Sequence, residues 1–152
     1  MPLPHRPRAV FFDLDGTLAD TADDLAAPVN AMRIERGEQP LPVADLRPFA
    51  SAGARGLIAK GLGVNKDDPQ YEALRLEFLA RYERDIVVHT RLFDGMPELL
   101  GRLESEGLRW GVISNKIERY VRIIVDRLGI AGRRYRHRRR RRCARRFPAC
   151  RR

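Results

Sequence analysis

Asp13 and Asp15 stand at the end of the apolar run Ala9-Val10-Phe11-Phe12, within Asp13-Leu14-Asp15-Gly16-Thr17-Leu18. A run of β-branched and aromatic residues without polar interruption predicts a strand covered on both faces. In an open α/β sheet, chemistry gathers beyond the carboxyl ends of such strands. Gly16 permits a turn that residues with a Cβ resist, so Asp15 can point back toward the pocket faced by Asp13. Two carboxylates so placed read as a phosphoryl-transfer site. They also suit oxygen coordination of a hard cation. A helix-loop-helix calcium loop requires an oxygen ligand at its fifth position, a glycine at its sixth and a glutamate at its twelfth. Counted from Asp13, these are Thr17, Leu18 and Asp24, which argues against a calcium loop.

The elements that must position these acids follow from periodicity. Val10 to Asp13 reads as the first strand, and Asp20 or Thr21, with Thr21-x-x-Asp24 approximating a capping box, caps a helix with Leu25, Val29 and Met32 on one face and a stop at Gly37. Pro40, Pro42 and Pro48 punctuate a short helical linker, and Ser51-Ala52-Gly53-Ala54-Arg55-Gly56 reads as a small-residue loop. From about Pro69 a long helix carries Tyr71, Leu74, Phe78 and Tyr82 in one stripe. Met96, Leu99, Leu100 and Leu103 share the face of a further helix closed by Gly107, and Leu108 to Ser114 is a second buried strand. Asn115-x-x-Glu118 then suggests a capping box for a last helix that ends at Gly129. The order is strand, helical insertion, helix, strand, helix. It predicts an α/β fold: an incomplete Rossmann-like parallel-sheet core (1–19 and 89–132) interrupted by an all-helical cap (20–88), with a tail over 133–152.

The formal charge of +10 is misleading until it is located. Twelve of the 30 basic residues lie in 133–152, which hold none of the 20 acids, so residues 1–132 carry a net charge of −2. Both cysteines, Cys143 and Cys150, also lie in that tail, and their spacing from His137 does not match a zinc site. The body has no cysteine for a disulfide framework, no apolar stretch long enough to span a bilayer and no signal-peptide core behind Met1, so a soluble cytoplasmic protein is expected.

Phe11-Phe12-Asp13-Leu14-Asp15-Gly16-Thr17-Leu18-Ala19-Asp20-Thr21 resembles the first signature of the haloacid dehalogenase superfamily, and Val112-Ile113-Ser114-Asn115-Lys116 resembles the second. The insert between them, with Phe93-Asp94-Gly95-Met96-Pro97-Glu98-Leu99-Leu100, is similar to the phosphoglycolate phosphatase-like branch. The stretch from Glu72 to Asn115 is similar also to bacterial N-acetylmuramic acid 6-phosphate phosphatases. The resemblance implies a magnesium-dependent phosphatase acting through an aspartyl-phosphate on a small phosphorylated metabolite, 2-phosphoglycolate first and a muramic acid phosphate as the alternative. Asp13 would be nucleophile and Asp15 general acid and base, with both holding Mg2+; Ser114 and Asn115 would bind the phosphoryl oxygens. Arg55, in a loop resembling the substrate-facing loop of related caps, would pair with a substrate carboxylate.

The resemblance stops near residue 132, and the third signature lysine and the fourth, Gly-Asp-Asp-like, signature do not follow it. Lys116 belongs to the second signature and is not taken as a substitute for that lysine. The first strand is therefore expected to lack a neighbour on one side, and the 152-residue chain to show little turnover. Residues 133–152 contain no Leu, Ile, Val, Asp, Glu or Lys, so they are expected to stay solvated and disordered. They could be a selected nucleic-acid tail, an appendage without function, or out-of-frame translation of a GC-rich gene, and composition favours the last. The tail would bind nucleic acid through charge alone, without sequence preference, and an inactive fragment with such a tail is a further alternative. No specific nucleic acid or membrane partner is expected.

Overall fold

A computed structural model describes residues 7–133 and the backbone of residues 135–139. Strand β1 (Ala9–Phe12) lies parallel to β4 (Arg109–Ser114), with Ala9 opposite Arg109 and Phe12 opposite Val112. A fifth strand, β5 (Tyr135–Arg139), runs parallel to β4 on its other side and gives the sheet order β1-β4-β5. Parallel neighbours require long crossovers. The one between β1 and β4 holds β2 (Ala19–Asp20), α1 (Ala22–Glu35), α2 (Val43–Leu46), a 3-10 stretch (Arg47–Ala52), α3 (Gly53–Leu62), α4 (Tyr71–Arg84), β3 (Arg91–Leu92) and α5 (Met96–Ser105). Helix α6 (Glu118–Arg127) follows β4.

Two features of the sheet differ from expectation. Phe11 is 42% exposed, so β1 is not covered on both faces among the described residues; it is the outer strand, as the missing neighbour predicts. The arginine-rich segment, expected to stay disordered, is a strand over 135–139, because the open edge of β4 offers backbone donors and acceptors that any extended chain can meet whatever its side chains. Residues 140–152, with Cys143 and Cys150, lie outside the described residues.

Between β2 and β3 the chain is helical, with no strand of its own. The stripe Tyr71, Leu74, Phe78 and Tyr82 is buried, and α1 contributes Leu25, Val29 and Met32 to the same core. Helices α1 and α3 approach closely at Gly61, where an added Cβ would fall 2.4 Å from Val29 Cγ2. The predicted loop at 51–56 is instead helix from Gly53 onward. Gly53 takes φ +64° at the junction, and at Gly56 a Cβ would lie 2.9 Å from the Phe49 carbonyl oxygen. The small residues thus serve a tight helix-to-helix corner rather than a flexible turn.

The two crossings between sheet and helices are tied together. β2 and β3 pair antiparallel, and Phe93 N–H donates to Leu18 O at 3.2 Å. Asp24, 3% exposed, accepts from the backbone N–H groups of Val88, His89 and Thr90 and from Thr90 Oγ1 at 2.6 Å. Neither predicted capping box is realised. Thr21 donates to Asp15 and Asp24 is taken by residues 88–90, while α6 begins at Glu118 with Ile117, not Asn115, in the N-cap position.

Candidate functional site

The turn after β1 is built by backbone bonds that aim both acids. Leu18 N–H donates to Asp13 O, Ala19 N–H to Leu14 O, and Gly16, at φ +79°, donates to Ala19 O. Asp13 follows the last residue of β1, and Leu14 N–H donates to its Oδ1 at 3.0 Å. Asp15 Oδ1 accepts from Thr21 Oγ1 at 2.6 Å and lies 3.2 Å from Lys116 Nζ, with both side chains of that ion pair more than nine-tenths buried.

Two cavities meet at Asp15. One, of about 480 Å3, is lined by Asp13, Asp15, Thr17, Asp20, Arg47 and Phe93, among others. The other, of about 210 Å3, is bounded by Asp15, Arg55, Tyr71, Arg75, Tyr82 and Lys116, with Asn115 also at its wall. Asp13 and Asp15 are thus together in the first, while Asn115 and Arg55 share the second with Asp15. Ser114 lines neither. It is 1% exposed at the end of β4, and its Oγ accepts the Lys116 N–H at 3.1 Å. Arg55 is exposed, in the first turn of α3.

Lys116 is the residue that sequence reasoning passed over. Its ammonium donates to Tyr82 Oη at 2.8 Å, sits 4.5 Å from the centre of that ring, and bridges to Asp15. Burial pulls its pKa below the ordinary lysine range, against the opposing pull of Asp15 and Asp24. Burial likewise pushes the Tyr82 hydroxyl well up, helped by the Asp15 and Asp24 charges, so Tyr82 stays protonated. The only sequence signal was the position of Lys116 directly after Ser114-Asn115; its contact with α4 spans 34 residues and leaves no local pattern.

Asp20 closes the first cavity. Burial alone would raise its pKa, but hydrogen bonds from Arg47 Nη1 at 2.6 Å and from Ala22 N–H, with the charges of Arg47 and Arg91, hold it below the usual carboxylate range. Arg47 therefore links the segment before α3 to the end of β2.

A model of the haloacid dehalogenase-like hydrolases matches residues 10–133. The chain is 48% identical over 131 residues to an N-acetylmuramic acid 6-phosphate phosphatase of Pseudomonas putida, covering 84% of this chain and 57% of that protein. It is 46% identical over 123 residues to a phosphoglycolate phosphatase of Xanthomonas campestris pv. campestris, covering 81% and 55%. The chain thus spans little more than half the length of these curated relatives. Its fold matches a haloacid dehalogenase-like hydrolase from Streptococcus pneumoniae with a TM-score of 0.72 at 22% identity, covering 86% of this chain and 59% of that one. Among the described residues no helix is long and apolar enough to cross a membrane.

Proposed function

Because this chain belongs to the haloacid dehalogenase-like hydrolases, we propose that it carries the nucleophile and the acid–base half of a phosphomonoester hydrolase site. The observation that carries the reading is that Asp13 and Asp15 leave one turn at the end of a parallel strand and border the same cavity. An Asp13 carboxylate oxygen attacks phosphorus, the bond from phosphorus to the leaving oxygen breaks, and Asp15 gives that oxygen its proton. Asp15 then takes a proton from water as the water attacks the aspartyl-phosphate, releasing phosphate and restoring Asp13. Asn115, and Ser114 at the end of β4, are the candidates for holding phosphoryl oxygens.

The donor set fits magnesium. Asp13 and Asp15 border one cavity, as suits an ion that keeps several waters and binds through one or two carboxylates and the substrate phosphate. The turn's hydrogen bonds go to the carbonyls of Asp13, Leu14 and Ala19, leaving the Asp15 carbonyl as an oxygen donor beside the two carboxylates. When bound, the ion would neutralise charge on the phosphate. Asp13 and Asp15 would hold it.

The substrate class we propose is a phosphomonoester that also carries a carboxylate, which Arg55 would pair. Both 2-phosphoglycolate and N-acetylmuramic acid 6-phosphate meet that description, and relatives are named for each. The aromatic wall of Tyr71, Phe78 and Tyr82 favours the sugar acid, since an aromatic face suits the apolar face of a ring more than a two-carbon acid. The test is phosphate release from both compounds, with Mg2+, by this chain and by a chimera completed with the carboxyl-terminal half of the 48% identical relative. Turnover by the chimera that falls about 10³-fold or more in Asp13→Asn supports the reading; undiminished turnover in that variant overturns it.

A further inference from the structure

We propose that Lys116 and Tyr82 are positioning residues that couple the helical segment to Asp15: α4 sets where the lysine ammonium sits, and the ammonium sets which Asp15 oxygen is engaged. The inference rests on the proposed acid–base role of Asp15 for its meaning, but its geometry stands independently. Asp15 comes from the turn after β1, Lys116 from the residues after β4 and Tyr82 from α4, so three separate elements converge on one buried ammonium. Thr21 Oγ1 and Lys116 Nζ both contact Oδ1 of Asp15. With Oδ1 held twice, Oδ2 is the less engaged of the two oxygens.

A buried ammonium needs its charge compensated and its donors satisfied. Asp15 supplies the charge, while Tyr82 supplies an acceptor and a ring face 4.5 Å away. Tyr82 is itself fixed, 2% exposed, stacked near Phe78 and edge-on to Tyr120 at 5.6 Å. A rigid aromatic on α4 thus buttresses a flexible lysine. Displacing α4 would free the ammonium and, with it, the Asp15 carboxylate.

The test uses the whole 152-residue chain and needs no turnover. Asp15 is observed through its side-chain carboxyl 13C resonance, assigned by its loss in Asp15→Asn, in the wild type, Tyr82→Phe, Lys116→Met, Lys116→Arg and the double variants. Tyr82→Phe keeps the ring and removes only the acceptor, so a folded protein is expected; circular dichroism checks each variant. The coupling predicts that Tyr82→Phe shifts the Asp15 resonance in the wild-type and Lys116→Arg backgrounds and leaves it unmoved in Lys116→Met. An unmoved resonance in Tyr82→Phe, or an equal shift with and without the lysine, overturns the proposal. Failure of the phosphatase reading would show instead in the Asp13→Asn turnover comparison, which this measurement does not involve.

Discussion

The two cavities that meet at Asp15 are built from different materials. The larger is acidic, with Asp13, Asp15 and Asp20 on its wall and Arg47 as the counter-charge; the smaller is basic and aromatic, with Arg55, Arg75, Lys116 and three aromatic rings. The first is framed largely by the turn after β1 and its continuation, so its geometry is fixed by a few backbone bonds close in sequence. The second is assembled from α3, α4 and the residues after β4, and depends on packing over long separations. In the proposed chemistry the first cavity makes and breaks bonds while the second chooses the substrate. Asp15 and its lysine are where the two communicate.

The largest effect is expected at the shared wall. Asp15→Asn removes the proton donor and acceptor, and turnover of the completed enzyme is expected to fall about 10²- to 10⁴-fold, the usual contribution of general acid–base catalysis. A steady-state comparison that finds KM, rather than kcat, carrying that loss would place Asp15 in recognition and dissolve the division. The next effect lies in the second cavity. Arg55→Ala is expected to raise KM about 10-fold for a carboxylated phosphomonoester, from the loss of one charge-assisted hydrogen bond, and to leave an uncharged aryl phosphate unaffected. Equal effects on both substrates would make Arg55 a surface arginine only.

Much of the first cavity was legible in sequence, and little of the second. Asp13-x-Asp15-Gly16 after an apolar run is a local pattern, and local turn chemistry realises it. The stripe from Tyr71 to Tyr82 was also legible because helical periodicity is local. The reach of Lys116 to Asp15 and Tyr82, the grip of Asp24 on residues 88–90 and the use of Thr21 Oγ1 on Asp15 are decided by tertiary packing. In two of these cases the local rule pointed elsewhere: Thr21 and Asp24 look like a helix cap, yet the buried partners win. The strand at 135–139 had no hydrophobic signal at all, since it is set by the backbone edge it joins.

A smaller effect concerns the rim of the acidic cavity. The pKa of Asp20 is held down in the folded protein, so its ion pair with Arg47 contributes stability above the unfolded carboxylate pKa and loses it as pH falls through the lower folded value. Thermal melts across the acid range are expected to show part of the acid loss disappearing in Asp20→Asn. An unchanged acid profile would mean that Arg47 does not hold the two sides of that cavity together.

The central claim is that Asp13 becomes phosphorylated. Borohydride reduces an acyl phosphate of aspartate to homoserine, so the chain and its completed chimera can be mixed with Mg2+ and para-nitrophenyl phosphate, quenched with borohydride, digested and read by peptide mass spectrometry. Homoserine at position 13, dependent on the phosphate donor and missing in Asp13→Asn, is the predicted result. Phosphate release by the chimera with no modification at position 13, or with the modification at another carboxylate, would contradict it.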